Sequence, residues 1–134
     1  MKITIILAVG LIAFLLLACS RKRGSGDPAK EIVVGGLYAS RDTNGIYRVS
    51  KVLAVDDSAV HVRIYRNKFT ALPESLDTST LSLGGLSDPG GFGIGHAPVA
   101  KENWLASHVF LKKESVTEDE LDGYKYYLEE MKKR

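Results

Sequence analysis

Apolar and polar residues alternate most regularly in the middle of the chain, where they predict a β-hairpin. Two runs rich in Val, Ile and Tyr, residues 46–55 and 59–65, flank a short acidic turn. In the second run every second residue from Val60 onward is apolar. We therefore expect one buried and one solvated face, with His61 exposed on the solvated face.

The first run of the hairpin contains one irregularity. Lys51 falls in a row of otherwise apolar side chains, and we expect a β-bulge near Ser50 to correct the register and curve the two strands. Upstream, residues 31–39 form a strand-like run that two glycines interrupt. An Asn-Gly turn at residues 44–45 connects this run to the hairpin.

Downstream of the hairpin the alternation weakens. Three short elements are predicted there: a strand at 81–83, a helical turn carrying Trp104 at 99–107, and a strand at 109–111. The glycine-rich loop at residues 89–98 contains Phe92 and Ile94, which we expect to pack back onto the body of the domain.

The C-terminal residues predict an amphipathic helix. Thr117 and Glu120 have the spacing of a capping box, so the helix should begin at Glu118. An apolar stripe at spacings of three and four follows, formed by Leu121, Tyr124, Leu128 and Met131. A helix this short needs a surface to pack on, and the sheet is the expected one.

Together these elements predict a mainly β (α+β) fold, a small curved sheet or barrel with a C-terminal amphipathic helix. The segment GIYRVSKVLAVDDSAVHVRIY, from Gly45 to Tyr65, resembles the opening strands of SH3-like and Tudor-like small barrels. Such barrels bind peptides or modified side chains through aromatic residues at one end. The resemblance implies possible ligand-binding positions at Tyr38, Tyr47, Tyr65 and Phe69. The alternative is that these aromatics are core residues, since aromatics are enriched in sheets.

The first residues of the chain form a membrane-directing signal. Met1-Lys2 precedes an apolar run that ends at Ala18, and the exit Leu16-Leu17-Ala18-Cys19 resembles the lipobox of bacterial lipoproteins. The resemblance implies lipidation (diacylation) of Cys19 after removal of a signal peptide, residues 1–18. Residues 19–30 then form the lipid attachment and a flexible tether, and residues 31–134 form a single globular domain.

An uncleaved N-terminal membrane helix is the alternative to the lipoprotein. The apolar run is at the short end of what spans a bilayer. The basic residues 21–23 directly after Cys19 would favour retention of that flank in the cytoplasm. The sequence favours the lipoprotein, and Ser20 after the cysteine resembles lipoproteins of the outer membrane facing the periplasm rather than of the inner membrane.

Charge and candidate chemistry narrow the function classes. The formal net charge is +2, and part of it lies beside the anchor, where anionic lipid headgroups can accept it, so the profile excludes nucleic acid as the partner. Cys19 is the single cysteine, so no intramolecular disulfide and no Cys-rich zinc site can form. The histidines lack metal-site spacing, and no phosphate loop or catalytic motif is present, so neither a metal nor a cofactor is expected.

His96, at the end of the glycine-rich loop, is the one histidine that the loop could present to a ligand, and a structural histidine is the alternative. The sequence favours a non-enzymatic, lipid-anchored binding module of the cell envelope. Its partner would be an envelope protein, a peptide or a cell-wall ligand. Two further hypotheses are a small enzyme or enzyme subunit that uses the glycine-rich loop and His96, and an inhibitor or immunity-type protein.

Overall fold

The computed structural model describes residue 27 and residues 30–134, and there five strands form one antiparallel sheet in the order β4-β3-β2-β1-β5. The strands are β1 (Gly36–Arg41), β2 (Tyr47–Val55), β3 (Ala59–Ile64), β4 (Ile94–Ala100) and β5 (Val109–Lys113). A short helix α1 (Trp104–Ser107) connects the two edge strands, and α2 (Asp122–Lys132) ends the chain. The mainly β fold with a C-terminal helix is confirmed, and the sheet is not closed into a barrel.

The predicted signal peptide, Cys19 and most of the tether lie outside the described residues. Among the residues that are described, no helix is long and apolar enough to cross a bilayer.

The central hairpin forms as predicted, with its bulge further along β2. β2 and β3 pair from Ser50 opposite Ile64 to Val55 opposite Val60, and the register shifts between Val52 and Ala54. The bulge therefore follows the predicted position at Ser50 rather than coinciding with it. The pairing of β2 with β3 continues regularly through Lys51. The ammonium group of Lys51 pairs with Glu120, so the side chain can stay in the interior without a change of register.

Both faces of the sheet are covered, which corrects the expectation that one face of the hairpin is solvated. One face carries an apolar cluster of Tyr38, Val52, Val60, Val62 and Trp104. The other carries Leu37, Val49 and Tyr65, against which side chains of the segment 69–83 pack. His61 lies on this second face and is 0% exposed, so its predicted exposure is wrong. The reason is non-local. Side chains of α2 and of the segment 69–83 pack on the face of the hairpin where the alternation places polar residues.

The C-terminal helix has the predicted start but packs on a different side. The capping box forms, with the Thr117 N–H donating to Glu120 at 3.1 Å and the Glu120 N–H donating to the Thr117 hydroxyl at 3.4 Å. The first turn, Asp119–Leu121, is a 3₁₀ helix. The predicted stripe is wrong in its second half, because Leu128 and Met131 are 38% and 47% exposed. The rings of Tyr124 and Tyr127 contact the sheet instead.

The glycine-rich loop also differs from the expectation. Phe92 and Ile94 are 52% and 44% exposed, so their predicted packing onto the body is wrong. The backbone of Gly93, between them, makes the close approach: its N–H donates to the Leu83 carbonyl at 2.6 Å, and a Cβ there would collide with the Ile64 carbonyl oxygen. Because the backbone lies that close to the body, the neighbouring side chains point outward.

Candidate functional site

A cavity of about 300 Å³ opens beside α1 and is called here the Trp104 groove. Its apolar lining consists of Val62, Ile64, Val99 and Trp104. Its polar lining consists of Ser40, Arg41, Asp42, Arg48, Ser50 and His108. The groove therefore combines an apolar floor with a small set of polar groups, which is the composition of a small-molecule site.

Strand alternation explains why these polar residues border an apolar face. Arg48 and Ser50 are two positions apart on β2, on the same face as Val52 of the apolar cluster. Ser40 on β1 pairs with Arg48, and Ser50 pairs with Ile64 on β3. The polar positions are thus consecutive along one end of the face whose centre is the apolar core.

Trp104 is the most unusual member of the groove. It is 2% exposed, and its indole Nε1–H is the one buried side-chain polar atom, within the described part of the chain, that has no hydrogen-bond partner. Its ring packs edge-on against Tyr38, with centroids 5.8 Å apart. Leaving a buried donor unsatisfied costs about 1–3 kcal/mol, and buried donors in folded proteins nearly always have partners. An acceptor supplied by a ligand would remove this cost.

His108 fixes the position of Trp104 from the other side. The two rings stack at a centroid distance of 3.5 Å, and His108 Nδ1 lies 3.0 Å from the Trp104 carbonyl oxygen. Because a carbonyl only accepts, Nδ1 carries the hydrogen, and Nε2 of the neutral ring is an acceptor. Burial lowers the pKa of His108, and the hydrogen bond to Trp104 opposes that shift in part. The ring is therefore neutral at pH 7.

Arg48 brings an uncompensated positive charge to the groove. Among the described residues no hydrogen bond or ion pair involves its guanidinium group. Arg41, at the rim, lies over the Tyr47 ring at 6.0 Å. The one acidic residue of the lining is Asp42, whose Oδ1 already accepts the backbone N–H groups of Asn44 and Ile46.

A second cavity, of about 470 Å³, also borders Trp104. Its lining includes Lys30, Glu31 and Lys101, so it carries both signs of charge at its mouth. The ammonium group of Lys101 already donates to the Asp56 carbonyl at 3.2 Å. The charges that line this cavity are of both signs, whereas the Trp104 groove carries the half-buried, unpaired guanidinium of Arg48, so the Trp104 groove is the better candidate for a ligand.

The opposite face of the sheet holds a chain of hydrogen bonds from Asp56 through His61 to His96. His61 Nε2 lies 2.7 Å from Asp56 Oδ2, and His61 Nδ1 lies 3.0 Å from His96 Nε2. Asp56 also accepts the backbone N–H groups of Ser58 and Ala59 through Oδ1. The hydrogen bonds from His61, Ala59 and Ser58 hold the pKa of Asp56 at about 2, so this carboxylate is ionised at neutral pH.

The tautomers in this chain follow from the ionised Asp56. A carboxylate only accepts, so His61 Nε2 carries a hydrogen and, in the neutral ring, Nδ1 does not. His96 Nε2–H must then donate to His61 Nδ1, which leaves His96 Nδ1 as an acceptor. Burial, and to a smaller extent His61, lowers the pKa of His96.

Of the residues predicted from the SH3-like resemblance, Tyr47, Tyr65 and Phe69 lie together on one face of the sheet and Tyr38 lies on the other. Tyr38 is 0% exposed in the core of one face, and its hydroxyl oxygen accepts the Val33 N–H at 2.9 Å. Tyr65 lies on the other face, where burial and the Glu120 charge raise its pKa to about 12. Phe69 packs beside Tyr65, and its backbone bridges to that of Tyr47 at the edge of the cluster.

His96 lies within β4, stacked on His61, rather than in the glycine-rich loop. The structure thus gives His96 an internal hydrogen bond to the His61 side chain, as expected of a structural histidine.

Sequence reasoning missed Arg48, Trp104 and His108 as members of a common site. The available signal was the pair Arg48 and Ser50, two polar residues that interrupt an apolar face at strand spacing. Nothing local indicates that α1 lies over them.

Comparisons of the chain with protein-family models, with curated proteins and with solved structures gave no match, so no relative assigns a role to either site. Within residue 27 and residues 30–134, no three His, Cys, Asp or Glu side chains are grouped so that they could hold a metal ion.

Proposed function

We propose that the chain is a binding module of the cell envelope that takes its ligand in the Trp104 groove. One observation carries the proposal: the indole N–H of a tryptophan that is 2% exposed has no partner in the described chain, and the residue borders an open cavity. A preformed apolar floor with the unpaired guanidinium of Arg48 at its wall has the composition of a binding site.

The proposed location rests on the N-terminal sequence. The apolar run and the exit Leu16-Leu17-Ala18-Cys19 support attachment through lipid on Cys19. More than one acyl chain on this residue would hold the protein stably at the membrane. The polar segment up to Lys30 would then let the domain face the periplasm from the outer membrane.

Site-specific photocrosslinking in intact cells tests the binding function. The full chain would carry a photoreactive phenylalanine in place of Thr43, which is exposed and next to the rim residue Asp42, or in place of exposed Lys68 outside the groove. We expect a discrete adduct from position 43 that is weaker or absent from position 68. The same yield and pattern from both positions, or no adduct from position 43, would remove the groove as the binding site.

A second candidate, acid–base chemistry at His96, is favoured by one observation. The hydrogen bonds from ionised Asp56 through His61 to His96 orient Nδ1 of His96 as an acceptor. The lowered pKa of His96 keeps this nitrogen unprotonated, and therefore able to accept a proton, at neutral pH. His96→Gln in the folded protein would abolish an activity if this candidate is correct, and unchanged activity would remove it.

A further inference from the structure

We infer that the ligand of the Trp104 groove is a monocarboxylate joined to an apolar group. The inference rests on the proposed function and specifies its ligand. The carboxylate could belong to a small free acid or to the C-terminus of a peptide, and the two share the same chemistry.

The hydrogen-bonding capacity of the groove is dominated by donors. The guanidinium of Arg48 and the indole N–H of Trp104 have no partner among the described residues, and a guanidinium only donates. The hydroxyl groups of Ser40 and Ser50 also lack partners within residues 30–134 and can donate. A group that only accepts, such as a carboxylate, complements this set.

The acceptors of the groove are fewer and partly used. Asp42 Oδ1 accepts two backbone N–H groups of its own turn. The remaining side-chain acceptors are Asp42 Oδ2, Nε2 of His108, whose Nδ1 donates to the Trp104 carbonyl, and the serine hydroxyl oxygens, which can donate as well. A ligand head that mainly donates, such as an ammonium group, would leave Arg48 and Trp104 unsatisfied and would meet like charge.

The charge balance of the lining favours a single negative charge. Arg41 and Arg48 contribute two positive charges and Asp42 contributes one negative charge. One positive charge therefore remains to be neutralised. A dianion such as a phosphomonoester would exceed that balance and would lie beside the Asp42 carboxylate, so the monocarboxylate is preferred.

The floor of the groove calls for an apolar group on the same ligand. Val62 is 0% exposed, and Ile64 and Val99 continue the apolar surface beside it. The cavity of about 300 Å³ is at the small end of ligand pockets, so an aromatic ring or a short alkyl chain fills it.

Trp104 is the single tryptophan of the chain and borders both cavities, so its fluorescence reports binding beside it, and the Arg48 variants assign that binding to the Trp104 groove. The full chain, reconstituted in phosphatidylcholine vesicles and excited selectively at tryptophan, would be titrated with 4-phenylbutyrate and with 4-phenylbutyramide. The two probes have the same apolar part and differ in the anionic group. A second pair, acetyl-Gly-Gly-Phe with a free or an amidated C-terminus, distinguishes a peptide end from a free acid.

We expect the acid of at least one pair to bind about tenfold or more tightly than its amide, as charge-assisted hydrogen bonds predict. Arg48→Gln should abolish that preference, and Arg48→Lys should retain part of it. Arg63→Gln is the matched control, because Arg63 is also on a central strand but does not line the groove. Far-UV circular dichroism would establish that each variant is folded.

Equal affinities of acid and amide would overturn the carboxylate inference and leave the groove as a binding site. Preference for the acid that Arg63→Gln removes as completely as Arg48→Gln would also overturn it. Failure of all four probes to change Trp104 fluorescence would reject this ligand class, and the crosslinking experiment at position 43 would then show separately whether the groove binds anything.

Discussion

His61 Nδ1 lies 3.0 Å from His96 Nε2, and the two rings stack with an interplanar angle of 10°. Two nitrogens at this distance can share one hydrogen but cannot both carry one. A first proton added to the pair can bind to His96 Nδ1 and preserve the hydrogen bond. A second proton, on His61 Nδ1, would place two N–H groups opposite each other and break it. The contact that seats α2 on the sheet is thus sensitive to pH, since Tyr124 and Tyr127 pack on these rings.

The first prediction concerns stability between pH 7.5 and pH 5. The pKa of His96 is lowered on folding from its ordinary value of 6.5, mainly by burial, so the unfolded chain binds more protons in this window. Stability is therefore fully present above pH 6.5 and decreases as the pH falls towards the folded pKa. His96→Gln should flatten the dependence of the melting temperature on pH, measured by circular dichroism.

His108 provides the control for this prediction, because burial lowers its pKa as well. His108→Gln should remove a separate part of the pH dependence, and the double variant should depend on pH less than either single variant. If the pH dependence of the melting temperature were the same in His96→Gln as in the original protein, folding would not lower the pKa of His96. The loss of stability due to Asp56, whose pKa is about 2 in the folded protein, falls in a lower window that begins near its ordinary value of 3.8.

The second prediction concerns the ion pair of Lys51 and Glu120. The ammonium group lies 2.9 Å from the carboxylate, with 3% and 17% of the two side chains exposed, and it also donates to the Ser115 carbonyl at 2.7 Å. Glu120→Gln leaves a buried charge without its counter-ion and should lower the free energy of unfolding by about 3–5 kcal/mol. Urea denaturation measures this loss.

A matched surface pair gives the control. Lys125 and Glu118 lie 2.6 Å apart but are 52% and 84% exposed, so Glu118→Gln should lower the free energy of unfolding far less than Glu120→Gln does. The double variant Lys51→Met with Glu120→Gln should recover most of the loss, because it removes the uncompensated charge. Equal costs for Glu118→Gln and Glu120→Gln would contradict the assigned burial.

The third prediction concerns Gly123 in the first turn of α2. On helix propensity alone Gly123→Ala would stabilise the protein by up to about 1 kcal/mol. However, a Cβ at this position would lie 2.6 Å from His96 Cβ, so either α2 or β4 must move. We expect Gly123→Ala to destabilise the protein and to weaken the contact of Tyr124 with the histidine pair. An increase in melting temperature would instead indicate that α2 does not lie this close to the sheet.

The fourth prediction compares neighbours in the glycine-rich loop. Phe92→Ser changes an exposed side chain and should alter stability by less than about 0.5 kcal/mol. Gly93→Ala should be far more damaging, since its Cβ would meet the backbone carbonyl of Ile64. Thermal denaturation measures both effects. If the loop packed through Phe92, Phe92→Ser would lower the melting temperature more than Gly93→Ala does.

Structural features that depend on neighbouring residues were predictable from the sequence, and features that depend on distant segments were not. The capping box at Thr117 and the hairpin turn at Asp56 were predictable because each depends on residues a few positions apart. The burial of His61 was not, because it depends on α2, which lies some sixty residues further along the chain. Periodicity also gave the wrong docking side for Leu128, since the close approach at Gly123 decides which side of the helix meets the sheet.

The candidate site was harder to predict than the fold. Its members come from β1, β2, β3, β4 and α1, and α1 has only four residues, too few to show a hydrophobic period. The aromatic residues singled out by the SH3-like resemblance are divided between the two packed faces of the sheet, with Tyr38 on one and Tyr65 on the other. Only the missing partner of Trp104 Nε1, which no sequence pattern reports, directs attention to the groove.

The indole N–H resonance of Trp104 tests the central claim most directly, because the chain gives one such signal. In a ¹H–¹⁵N spectrum of the full chain in bicelles, we predict that saturating 4-phenylbutyrate moves this signal downfield, as an N–H that gains an acceptor does, and that Arg48→Gln suppresses the movement. An indole signal that stays in place with every carboxylate probe, in a protein that gives no crosslink from position 43, would contradict the account.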